Sequence, residues 1–371
     1  MNQWDDTNHG HEQGVFTPIR RRRALEALLA MAVALTPFPA AASDDDEIEQ
    51  DPPAAALLLG GSTGGAHGSD IRVLLADSKG NFDARPSQDQ TFSFNGRRYR
   101  GNFSVVDLGS GRQGLIATMP IEAYLYGVVS MEMPASWPTA ALQAQAIVAR
   151  SYATARIRPD HPYDVTSTVS AQVHGGIDDE TESANRAIDA TAGALLMHGG
   201  KIVDGVYSSC CGGHTADAAD VWNLAVPYLI AQVDPNCIAA PNYRWSSNFS
   251  RETLMRALAA QLTSIGSLHA AHLNDLDASG RPRLISFDGE TGSITVPAPT
   301  FRSELGATAV RSTLLFEINL DPASDAVIIS GGGSGHGVGM CQWGAKGMAG
   351  AGRSPQEILA FYFPGTTITK G

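Results

Sequence analysis

The sequence predicts an α+β fold: mixed strands and helices in one large unit. Three observations carry that reading. Segments with two-residue apolar alternation stand among segments with three- and four-residue apolar spacing. The two kinds follow no regular βαβ rhythm, and no internal repeat runs through the chain. With 371 residues, 43% of them apolar, the chain can bury a full core in one large domain.

The elements follow in order. Residues 43–69 are acidic, then Ala/Leu/Gly-rich, and read as a flexible linker. "IRVLLA", from Ile71, opens the folded part as a strand, so the domain is expected over 70–371. "TFSFNGRRYRGNFSVVDLG" alternates and is punctuated by Asn95-Gly96, which signals a hairpin. "LIATM" is a further short strand. Pro120 suits the first position of a helix over "IEAYLYGVVS". After a break at 135–138, a second helix spans 139–156, with Leu142, Ala146, Ala149 and Ala153 along one side. Side chains that small imply close packing against a neighbour, and Pro159 and Pro162 stop the helix.

Further on, "YDVTST" is strand or turn, 180–191 a short helix, and "ALLMHGGKIVDGVYSS" a hairpin about Gly199-Gly200. Residues 251–262 form a helix; "RLISFDG", "GSITV" and "TLLFEINL" are strands, with a helix at "FRSELG". The last segment combines a strand, a glycine-dense loop, one helix and a terminal strand.

Charge narrows the function classes. The formal net charge is -12 and the pI about 5.2, with no basic stripe, which argues against nucleic acid as a partner. The concentrated positive charge is Arg20 to Arg23, and it precedes "ALEALLAMAVAL" and a run of small residues. That three-part pattern marks residues 1–42 as a secretory signal cut near Ala42. A retained membrane anchor and a plain polar tail are the alternatives. An exported chain resides in the periplasm or cell-wall space and meets disulfide-forming conditions. Cys210, Cys211, Cys237 and Cys341 are too few for a disulfide-built scaffold.

Several groups are candidates for chemistry. Glu132 stands at a helix end between Met131 and Met133, with Glu122 and Arg150 the nearest charges in sequence. In an apolar cleft its proton would be held late, as a departing glycosidic oxygen requires; otherwise it is a solvated helix-end glutamate. Gln143 and Arg150 share a helix face, as do Gln145 and Tyr152. Arg150 either binds substrate or pairs with a distant carboxylate. In "SSCCGGHTADAADVW" the adjacent Cys210 and Cys211 are poorly spaced for a zinc clip with His214. A Cys211–Cys237 disulfide is the favoured reading there, and it would leave a Cys-His catalyst without its thiol. No metal and no cofactor is expected. The loop "GGGSGHGVGMCQWGAKGMA" lacks the P-loop pattern and no βαβ unit follows it, so its glycines serve tight turns or close approach to a ligand. His336 and Gln342 would point into that space.

The blocks "PIEAYLYGVVSMEMPASWPTAALQAQAIVARSYA", "AQVHGG", "VYSSCCGGHTADAADVW", "PYL" and "GHGVGMCQWGAKGMA…EILAFYFPGT" together resemble the stage II sporulation protein D family, the SpoIID/LytB group that includes amidase enhancers. The resemblance covers most of residues 71–368. It implies a peptidoglycan lytic transglycosylase that cuts MurNAc-β-1,4-GlcNAc bonds in peptide-stripped glycan strands, leaving 1,6-anhydroMurNAc ends, in a domain with two lobes flanking a glycan-binding cleft. The alternative it implies is a non-catalytic wall-binding enhancer of an N-acetylmuramoyl-L-alanine amidase. Glu132 matches the family's catalytic glutamate; Gln143, Gln145, Arg150, Tyr152, Ser208, Ser209, His336 and Gln342 match or neighbour its substrate-binding positions. Two departures stand out. Gln143 replaces a common lysine, and the region where some relatives bind zinc holds His161 but no cysteine, so that metal is not carried over.

Overall fold

The computed structural model describes residues 70–262, 264–321 and 324–370. The expected signal segment (1–42) and linker (43–69) lie outside the described residues.

Alternation in the first segment buries Ile71 and Val73 on one face of strand Asp70–Ser78. This strand pairs antiparallel with Arg112–Pro120, which pairs in turn with Asn102–Gly109. Val165–Thr166 adds a parallel fourth strand on the other edge. Asn95 and Gly96 take φ of 49° and 75°, the double left-handed turn that the Asn-Gly pair permits. They join Thr91–Phe94 to Arg97–Arg100 in a small separate sheet.

Pro120 closes strand Arg112–Pro120 and caps the helix Ile121–Glu132 with an extended ψ of 143°, so it stands one residue before its expected place. The helix Thr139–Ala155 is the centre of the fold. Every residue from Ala144 to Thr154 is buried, so a one-sided apolar stripe is only part of its pattern: it is covered all round. Its alanines permit that enclosure. The 203–206 segment runs so close that a Cβ on Gly205 would sit 2.4 Å from the Val148 carbonyl oxygen.

Two hydrophobic clusters form. The larger surrounds the central helix and takes in Tyr124, Leu142, Val206, Met340, Leu359 and Phe363. The smaller, including Leu254, Leu262, Ile285, Phe287, Phe301 and Ile329, is built from the two three-stranded sheets Trp245–Ser250/Ala326–Gly331/Leu315–Leu320 and Leu268–Leu276/Pro282–Gly289/Gly292–Pro297 with their helices. Trp245 spans the junction by donating its indole N–H to the Gly333 carbonyl, 2.9 Å.

Two local expectations differ, and one strand was not anticipated. The helix expected over 251–262 is divided into Arg251–Ala257 and Ala259–Leu262, because Leu258 leaves helical geometry at φ -101°, ψ 24°. Leu268–Leu276 is a strand despite its polar residues, since it pairs along its length with Pro282–Gly289. Past Gln342–Gly350 a second helix, Pro355–Tyr362, begins at a capping box in which Ser354 and Glu357 satisfy each other's backbone N–H groups. Among the described residues, no helix is long and apolar enough to cross a membrane.

Candidate functional site

Glu132 is the last residue of its helix, where the chain turns extended at the buried Met133. Its carboxylate accepts hydrogen bonds from the Val173 N–H at 3.1 Å and from Gln342 Nε2 at 3.4 Å, with the Tyr207 hydroxyl beside it as a third donor. Burial raises the carboxyl above its usual pKa, and the three donors offset this only in part. Such an acid retains its proton later than a solvated one does.

A polar chain leads inward from it. Gln172 donates to the Tyr207 hydroxyl at 3.2 Å while accepting from the Tyr124 hydroxyl at 3.0 Å. With its oxygen occupied as acceptor, Tyr207 is left to direct its own proton at Glu132. His336 sits behind this tyrosine. Its Nδ1 accepts from the Val338 N–H at 3.1 Å, so Nε2 carries the proton and donates to the Tyr207 carbonyl at 2.9 Å. Burial lowers the His336 pKa to about 4, which keeps the ring neutral. The parallel pairing Tyr207–Met340 and Ser208–Cys341 brings this strand beside the glycine loop. Gly339 is required there: its φ is 71° and a Cβ would lie 2.2 Å from the Val206 carbonyl oxygen.

The sequence-derived residues divide. Gln342 touches both Glu132 and Gln145, the latter at 3.5 Å. Gln145 is fully buried and its Nε2 has no partner. Tyr152 lies under the Arg156 guanidinium, 3.3 Å from its ring centroid, and Gln143 is half-buried on the same helix. Ser208 packs against Gly335, its hydroxyl buried without a partner, and the Ser209 carbonyl accepts from the Trp343 N–H. It is Tyr207, unremarked in the sequence, that the strand presents to Glu132.

Arg150 is not brought to the site. Its guanidinium forks onto Glu122 through two contacts of 2.8 Å and donates to the Ala194 and Ile188 carbonyls. Glu122 opens the helix that Glu132 ends, so about 15 Å of helix axis separates them at the usual rise. The distant-carboxylate alternative describes this arginine.

The expected Cys211–Cys237 disulfide is not formed: all four cysteines are free, and the two sulfurs lie 3.5 Å apart. Nor is His214 gathered with them, since its Nδ1 faces the Thr215 carbonyl. Instead Cys211, Cys237 and Cys341 converge with the Asp234 carboxylate, their ligand atoms all within 4.8 Å of one another. Such a set could hold a metal ion.

The sequence missed Tyr207, Gln172 and the Val173 N–H. The first two lie inside the quoted blocks "AQVHGG" and "VYSSCCGGHTADAADVW" and carry polar atoms in apolar surroundings, which was a usable signal. A backbone N–H has none.

The fold and site thus define an α+β protein centred on one sheltered carboxyl group. The sequence model of the stage II sporulation protein (SpoIID) family matches residues 109–198. The chain is 34% identical over 282 residues to an uncharacterized protein of Brachyspira hyodysenteriae, covering 75% of this chain and 74% of that one. It is 33% identical over 290 residues to the amidase enhancer of Bacillus subtilis, covering 66% of this chain but 40% of that protein's length. It is 25% identical over 272 residues to the stage II sporulation protein D of Bacillus subtilis, covering 69% of this chain and 76% of that protein. The chain belongs to the stage II sporulation protein D family, the SpoIID/LytB group of sporulation protein D and amidase-enhancer homologues.

Proposed function

We propose that this chain is an exported cell-wall protein that engages peptidoglycan glycan strands and enhances an N-acetylmuramoyl-L-alanine amidase. The likeness to the amidase enhancer of Bacillus subtilis carries this reading and outweighs the transglycosylase expectation as the primary role. The strand lies in a cleft beside Glu132 and Gln342, with Gln145 buried behind Gln342 and Gln143, Tyr152, Ser208, Ser209 and His336 shaping or backing it. Arg150 takes no part. A cation for the muramic acid carboxylate comes instead from Lys346, whose Nζ lies 4.0 Å from the Trp343 ring centroid and 5.0 Å from that of Trp137.

A second reading is favoured by one observation, the sheltered Glu132 carboxyl with its raised pKa. In this reading the enhancer also cleaves the strand. Glu132 gives its proton to the glycosidic oxygen, and the C–O bond to the muramic acid breaks. The C6 hydroxyl of the same sugar attacks the oxocarbenium carbon and returns its proton to Glu132, leaving a 1,6-anhydro end. Attack from within the sugar replaces a recruited water. Tyr207 and Gln342 stabilise the ionised carboxylate between the two transfers.

Two assays decide. In one, peptide-free glycan is incubated with the chain and the products are weighed for anhydro ends. In the other, amidase turnover on intact wall is followed with and without the chain. Stimulation without anhydro ends supports the first reading alone. Anhydro ends that vanish in Glu132→Gln support the second. Neither activity overturns both.

A further inference from the structure

Three of the chain's four cysteines, far apart in sequence, meet at one buried point. Cys211 Sγ lies 3.5 Å from Cys237 Sγ and 3.2 Å from Asp234 Oδ2, and Cys341 completes the group within 4.8 Å. A tetrahedral ion with sulfur bonds near 2.3 Å sets ligand edges of about 3.8 Å, so the set needs only a small contraction. Asp234 and Cys237 have two residues between them, the usual interval of a metal clip.

The surroundings are those of a thiolate site. Backbone N–H groups point at the sulfurs: those of Cys211 and Gly344 at Cys341 Sγ, 3.2 and 3.3 Å, and that of Gly213 at Cys237. Tyr362 orients the acid by donating to Asp234 Oδ2 at 2.8 Å, while Asn236 holds Oδ1 through two bonds of 2.9 Å. Arg281, fully buried, donates to the Cys211 carbonyl at 3.0 Å and brings a positive charge beside the sulfurs. Three thiolates and one carboxylate around a divalent ion leave two negative charges, and a buried guanidinium offsets part of that.

We propose that Cys211, Cys237, Cys341 and Asp234 bind one thiophilic divalent cation of the zinc class, as a structural site. Binding releases the three thiol protons to solvent, and no redox step is involved. Cys210 stands beside the site without being a ligand. The ion ties together two segments that furnish the polar centre: Cys211 follows Tyr207 by four residues, and Cys341 directly precedes Gln342 and caps its helix. On the proposed export of this chain, the ion also keeps these three adjacent thiols from pairing in an oxidising compartment.

The test uses the full chain purified under reducing conditions without chelator, with Zn²⁺ and Co²⁺ as the probes. One equivalent of Zn²⁺ per chain is expected by elemental analysis. Co²⁺ should give tetrahedral absorption and thiolate-to-cobalt charge transfer. Bound Zn²⁺ should protect three thiols from alkylation, and the wild-type melting temperature should fall on chelation and recover with Zn²⁺. Cys210→Ser should keep the cobalt spectrum, whereas Cys341→Ser should lose one thiolate's share of it. Tyr362→Phe should weaken the metal 10- to 100-fold, roughly the effect of losing an orienting partner. Absence of stoichiometric Zn²⁺ or Co²⁺ binding by the reduced wild-type chain overturns the proposal. So does a Cys211–Cys237 disulfide found by peptide mapping of the protein recovered from its own compartment.

Discussion

Gln342 Nε2 lies 3.4 Å from Glu132 Oε2 although 210 positions of chain separate the two residues. The contact joins the end of one helix to the start of another and gives the buried carboxylate a neutral donor in place of a cation. A neutral donor steadies the ion without removing the raised proton affinity that an acid catalyst uses.

Glu132→Gln tests this centre twice. Any anhydro-forming activity should fall by roughly 10²–10⁴-fold with loss of the proton donor. Because the folded carboxyl has a raised pKa, ionising it opposes folding as pH rises above the unfolded value. The amide removes that opposition, so the variant should melt higher than wild type at pH 7 and alike near pH 4. A lower melting temperature at pH 7 would contradict the burial-driven shift.

Tyr207→Phe removes one donor to the ionised carboxylate but keeps the ring. The loss of a charge-assisted bond, about 1.5–3 kcal/mol, should raise the acid's pKa further. The alkaline limb of the pH–rate profile should move up by about one unit or more, with folding retained. An unmoved limb would detach Tyr207 from the acid.

Arg150→Met should destabilise the fold by about 3 kcal/mol, since it leaves Glu122 without its buried partner. Glycan affinity measured on the remaining folded protein should be unchanged. In contrast, Lys346→Met should weaken glycan binding with little change in melting temperature. Pull-down on peptide-free glycan separates the two.

His174 is stacked between Tyr124 and Tyr99, at 5.3 and 5.8 Å between ring centres, and burial lowers its pKa to about 4. Unfolding lets the ring return to an ordinary pKa near 6.5. The unfolded chain therefore binds more protons between pH 6.5 and 4, and stability falls as pH drops through that window, by up to about 3 kcal/mol from this residue. His336 adds a loss of the same sign. Urea titrations at pH 7 and pH 4.5 should register it, and His174→Phe should lessen the slope.

Much of the frame was legible in local pattern. Alternation marked the strand from Ile71, Asn95-Gly96 marked its hairpin, and the alanine spacing marked the central helix. Strand Leu268–Leu276 escaped because its pairing, and not its composition, makes it a strand. At the site, the sequence by itself singled out Glu132: a lone carboxylate in an apolar stretch is costly and stands out before any fold is known. Only the tertiary structure decided what reaches it. Val173 contributes a backbone group that every residue type carries, Tyr207 and Gln342 arrive through strand pairing, and Arg150 is taken up by Glu122 at the opposite helix end. The four cysteines make the same point, since their spacing argued for one disulfide and their packing gathers three of them around Asp234. Sequence periodicity reports neighbours a few residues apart along one element; which elements meet is fixed by burying their apolar faces together, and that choice carries the polar groups with it.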